Sequence, residues 1–106
     1  MPQQRSHPRV YLPLDAGVYV KSDNGSILGP VRVIGMGGLF FQTESPFAVG
    51  NSEALDLAEE HNPTSHTIAA VVRHVDKIGV GVQFLELHPE AQADVERLVN
   101  QYLLPT

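Results

Sequence analysis

The chain has no cysteine and no tryptophan, and its seven lysines and arginines are outnumbered by twelve aspartates and glutamates. Without cysteine, neither a disulfide framework nor a thiolate metal site can form. A formal net charge of −5 excludes the broadly basic surface that general nucleic-acid or anionic-membrane binding requires. No apolar run approaches the roughly eighteen residues of a membrane span. The opening segment, MPQQRSHPR, is polar and broken by proline, unlike a secretory leader, so the expected location is the cytoplasm.

Catalytic groups are missing too. Ser22, Ser26, Ser45, Ser52 and Ser65 fall in turns, with no nucleophile elbow around any of them. His7, His61, His66, His74 and His88 are scattered, without the i, i+4 spacing or carboxylate pairing of a metal site. His66 and His74 are expected on one face of one strand but too far apart to share an ion. Glu59 and Glu60 read as a solvated strand end. No enzyme, no metal and no cofactor is therefore expected.

What is present is one domain's worth of chain. At 106 residues with 42% hydrophobic and 18% charged side chains, it can bury about 65% of its unfolded surface around a single core. Residues 1–9 read as a flexible polar arm, and residues 10–106 as the folded domain. The β-rich part opens with VYLPLDAGVYVK, and Asn24-Gly25 predicts a hairpin turn of type I′, with positive φ at both central residues. ILGPVRVIG is the return strand, with Pro30 calling for an edge or a bulge. GGLFFQTE is a further strand, and SEALDLAEE reads as a strand because turns bracket it within an all-β run. HNPTS is a loop, and HTIAAVVRHVD pairs with GVGVQFLEL around Lys77-Ile78-Gly79.

The tail changes period. From about residue 88 to 104, Ala91, Val95, Leu98, Val99, Tyr102 and Leu103 recur at helical spacing. Pro89 suits the first turn, Glu90 and Asp94 suit the positive helix start, and Pro105 stops it. The expectation is mainly β: a small six-stranded antiparallel barrel with one C-terminal α-helix.

The stretch RVIGMGGLFF, residues 32–41, looks like a ligand-binding turn. A phosphate loop would need lysine and Ser/Thr after its last glycine, but Leu39, Phe40 and Phe41 follow Gly38. A dinucleotide fingerprint would lead into a helix, whereas here a strand follows. Gly35, Gly37 and Gly38 are expected to permit positive φ or close backbone approach at a strand-to-strand bend. The arm holds Arg5 and Arg9, spaced four apart just before the first strand, and guanidiniums suit phosphate and base recognition.

An Arg-x-x-x-Arg arm entering such a barrel, with this glycine-ending turn one hairpin later, resembles the PilZ domain family. QRSHPRVYLPL, VRVIGMGGLFFQTE, PFAVGNSEALDL, AAVVRHVDKIGVGVQFLEL and the terminal EAQADVERLVNQYL carry the resemblance over nearly the whole chain. It implies a bacterial receptor for cyclic di-GMP, with Arg5 and Arg9 wrapping guanine and phosphate. The family's second motif, Asp or Asn-x-Ser-x-x-Gly, falls on Val33 to Gly38. Val33 replaces Asp or Asn, Gly35 replaces Ser, and Gly38 alone is kept.

Losing one neutral and one charge-assisted hydrogen bond would weaken binding by about 30- to 2000-fold. Backbone N–H groups of Gly35 to Gly38, or Arg32 turned toward a phosphate, would recover part of that. Two functions thus follow from the resemblance. One is a receptor of reduced affinity that passes the signal to an effector protein in motility, adhesion, biofilm or envelope regulation. The other is a domain that binds no nucleotide and serves as a protein-interaction module, a homodimer being open. Neither involves nucleic acid or membrane insertion.

Overall fold

The structure, a computed structural model, describes residues 8–103, the side chains of residues 63 and 64 apart. Its elements in order are β1 (Arg9–Tyr11), a 3-10 turn (Leu14–Ala16), β2 (Val18–Ser22), β3 (Ile27–Gly35), β4 (Gly38–Gln42), β5 (Ser52–Glu59), β6 (Asn62–Val75), β7 (Gly79–Glu86) and α1 (Pro89–Tyr102). Antiparallel pairs run β3-β2-β5-β6-β7-β4, and β4 returns to β3. That circuit is the expected closed six-stranded barrel, and β1 is an extra strand laid on β3.

Period-two alternation decides which side chains fill the barrel. Val18 and Val20, Leu39 and Phe41, Leu55 and Leu57, Ile68, Ala70 and Val72, and Val80 and Val82 are all buried. Phe47, from the loop after β4, packs edge-on against the fully buried Phe41 with ring centroids 5.7 Å apart. α1 packs against β1, β3 and β6 and turns Ala91, Val95, Leu98 and Val99 inward at helical spacing. Pro89 starts the helix, and Leu103 is already extended.

A charged latch adds to that apolar contact. Arg97 donates to the Glu59 carboxylate at the end of β5 and, at 3.4 Å, to Asp94. Asp94 also meets His66 at 2.7 Å. The bond to Glu59, more than that to Asp94, holds the Arg97 guanidinium above its usual range. Glu59 is therefore an anchor for α1 and not the solvated strand end that its sequence neighbourhood suggested.

Two local expectations change and a third is narrowed. The β2–β3 hairpin falls where Asn24-Gly25 placed it, but only Gly25 has positive φ, at 92°. The Gly25 N–H donates to Ser22 O at 2.9 Å and Ser22 N–H to Ser26 O at 2.8 Å. This is a three-residue loop closed by a left-handed glycine, and Asn24 serves by accepting from Ser26 N–H at 3.0 Å. HNPTS is not a loop. The turn is Glu60-His61, and the following residues belong to β6 because the ladder absorbs two unpaired residues between the Glu59–Asn62 and Ala58–Ser65 pairs. Pro30 takes the second of its two expected settings, a bulged region and not an edge. It faces Tyr19 of β2, between a register shift on the β2 side and another on the β4 side, where the missing N–H does least harm.

Phe41→Ala removes the largest fully buried side chain of the barrel, and the expected loss is about 3–5 kcal/mol. Urea denaturation measures it directly. A loss below about 1 kcal/mol would contradict the packing described, being the size of one lost methylene.

Candidate functional site

β1 alternates exposed, buried, exposed. Val10 faces the interior opposite Ile34, so Arg9 and Tyr11 are turned outward opposite Gly35 and Val33. The same outer row continues across the wall, with Val33 beside Phe40, Phe40 beside Gly81 and Gly81 beside His74. A neighbouring row runs Arg9, Gly35, Gly38 and Gln83. Arg73 Nε donates to Gln83 Oε1 at 2.8 Å, which brings a second cation to that row.

Four of the residues singled out in the sequence, Arg9, Val33, Gly35 and Gly38, are therefore neighbours on one outer face. Arg9 is the first residue of β1, and Arg5 lies outside the described residues. Arg32 is not brought to them. It is the extra residue of the β3–β4 ladder, and its guanidinium bonds Leu12 O at 3.2 Å and Gln42 Oε1 at 2.8 Å.

The glycine turn works by close approach alone. Met36 and Gly37 join β3 to β4, and neither they nor Gly35 and Gly38 have positive φ, so it is not a primed hairpin turn. A Cβ on Gly38 would stand 2.2 Å from Val82 O. The one glycine that matches the second motif is thus demanded by the approach of β4 to β7. Apart from any ligand, that is reason enough for it.

The two histidines of β6 do not share a face. His66 is opposite Leu57 on the interior side, whereas a register shift between Val72 and His74 turns His74 outward, opposite Gly81. Carboxylates pair with both, His66 with Asp94 and His74 with Asp76 at 2.8 Å, contrary to the sequence expectation. Among the described residues no three His, Cys, Asp or Glu groups gather as a metal would need.

The sequence reading did not place Tyr11, Phe40, Arg73, His74 and Gln83 on this outer face. Tyr11 and Phe40 could have been found, because each alternates with core residues (Val10 and Leu12, Leu39 and Phe41) and must face outward. Arg73 and His74 could not, since a bulge resets the alternation there. His74 is held in place. Its ring is 6.5 Å from that of Phe40 and bonds Asp76, whose other oxygen accepts from the N–H groups of Ile78 at 2.8 Å and Gly79 at 3.0 Å.

A family model described as the PilZ domain matches residues 3–101. No curated protein matches the chain. Two similar solved structures are the MrkH–c-di-GMP complex of K. pneumonia and YcgR of Escherichia coli in complex with c-di-GMP. The first has a TM-score of 0.72 and 22% identity over 94% of this chain and 52% of its own. The second has a TM-score of 0.69 and 14% identity over 93% of this chain and 46% of its own. The chain spans about half the length of these structures, and at such identity they speak for the fold. Among the described residues no helix is long and apolar enough to cross a membrane.

The Asp76 turn yields a pH prediction. Its bond from Gly79 N–H, then that to His74, then that from Ile78 N–H, hold the carboxyl below its ordinary 3.8. A depressed folded pKa means the contribution is complete above the unfolded value and fades as pH falls through the lower folded one. NMR titration of the Asp76 carboxyl carbon should therefore place its own protonation step below 3.8. Titration of Asp76 at or above 3.8 would contradict this.

Proposed function

This chain belongs to the PilZ domain family, and on that footing we propose that it is a cytoplasmic bacterial receptor for cyclic di-GMP and not an enzyme. The ligand lies on the outer wall across β1, the second half of β3 and the start of β4. Arg9 contacts guanine or phosphate, and Arg5 joins it from the arm. The observation that carries this reading is the register of β1 on β3, which sets Arg9 opposite Gly35 and so joins the two motif segments on one face. The c-di-GMP complexes of the two structurally similar proteins support it.

Affinity is reduced, because Val33 and Gly35 offer no side-chain hydrogen bond. Arg32, bonded to Leu12 and Gln42, contributes to the wall and not to the ligand. The bound state orders the arm against the wall, and an effector protein reads the new surface in motility, adhesion or biofilm control.

A second reading is favoured by the apolar row of Tyr11, Val33 and Phe40, in which Tyr11 is 80% exposed. Such a strip suits a domain that binds a protein, or a second copy of itself, without any nucleotide.

Calorimetric titration with cyclic di-GMP, with GTP as control, separates the two. The receptor reading predicts saturable binding that discriminates against GTP, and at least about tenfold weaker binding for Arg9→Ala, the worth of a charge-assisted contact. Val33→Asp, which adds an acceptor on the open outer face, should tighten binding several-fold. No heat up to millimolar ligand would support the interaction module instead.

A further inference from the structure

Gly35 is a buried residue on an outer wall. What covers it is the chain just before and within β1. A Cβ built there would stand 3.0 Å from Pro8 O, 3.3 Å from Arg9 Cγ and 3.7 Å from Arg9 Cα. Its φ is not positive, so conformational freedom does not explain the glycine. Space does: the stem of Arg9 lies across the backbone of β3 where a side chain would otherwise project. Contacts at 3.0–3.3 Å are tighter than carbon ordinarily tolerates, so any added atom must shift Pro8 or Arg9. Gly37, two residues on, differs in having nothing within 4 Å of its Cβ position.

We propose that Gly35 is a positioning residue. Its missing side chain seats Arg9 flat on β3 and so fixes where the guanidinium meets cyclic di-GMP. This rests on the receptor reading and deepens it. The glycine that stands where the family pattern has serine is then no simple loss of a hydrogen bond, because the seat and the serine compete for one space. Restoring the family residue should harm binding while Val33→Asp helps.

The test uses Gly35→Ala, Gly35→Ser, Gly37→Ala and Arg9→Ala in the full chain, with thermal melts confirming that each is folded. In the ligand-free protein the Arg9 Nε–Hε NMR signal should move in both Gly35 variants and stay in place in Gly37→Ala. In calorimetry Gly35→Ser should bind cyclic di-GMP about tenfold more weakly, as for one displaced charge-assisted contact. In the Arg9→Ala background, Gly35→Ala should change affinity less than about twofold, since the coupled partner is gone. Tighter binding by Gly35→Ser, or an Arg9 signal indifferent to residue 35, overturns the proposal. If the parent binds no cyclic di-GMP while the Arg9 signal still moves, the seat stands and the receptor reading fails.

Discussion

β3 serves three neighbours, and the rest of the molecule is arranged around that demand. Along one edge its first half pairs with β2 and its second half with β1, while β4 lies along the other edge. A regular strand could not satisfy all three at once. Two register shifts, one just before Pro30 on the β2 side and one just after it at the bulged Arg32 on the β4 side, let it bend from one partner to the next, and Pro30 between them donates nothing to a ladder. Arg32 then ties the chain after β1 to the end of β4 through Leu12 and Gln42. Closure of the barrel and attachment of β1 are thus one problem, solved in nine residues.

The same constraint decides where chemistry can occur. Closure commits the interior to apolar side chains, and among the described residues no polar or charged one is buried. On the proposed receptor reading, recognition of a charged ligand falls to the outer wall. There the second half of β3 is the meeting place, because β1 lays Arg9 on one side of it and β4 brings Phe40 and Gly38 on the other. An acidic chain can still hold an anion at such a place, since the local cations Arg9 and Arg73 are concentrated there. α1 packs against β1, β3 and β6, and Arg97 ties it to Glu59 of β5.

Much of this was legible in the sequence, and the misses have physical causes. The barrel followed from alternation and turn residues, and α1 from its 3.6-residue period. HNPTS misled because proline next to a polar cluster reads as a loop, yet a ladder with two spare residues accommodates it. The His66 and His74 faces were misassigned for a related reason: strict alternation fails across a bulge that only pairing partners reveal. Gly35, Gly37 and Gly38 suggested positive φ or close backbone approach, and the structure shows the second, at Gly38 against Val82 and at Gly35 against Pro8 and Arg9. These neighbours are distant in sequence, and no local pattern announces them. The meeting of Arg9 with Gly35 was foreseen only through the family resemblance.

The central claim is that cyclic di-GMP meets this chain on the wall shared by β1, β3 and β4. A backbone-amide NMR titration with the dinucleotide tests it most directly. The account predicts saturable shifts confined to Arg9 through Tyr11, Val33 through Phe40 and the adjoining Gly81 to Gln83, with the loop holding Phe47 unmoved. Shifts centred on that loop or on α1, with the β1–β3 wall silent, would contradict it.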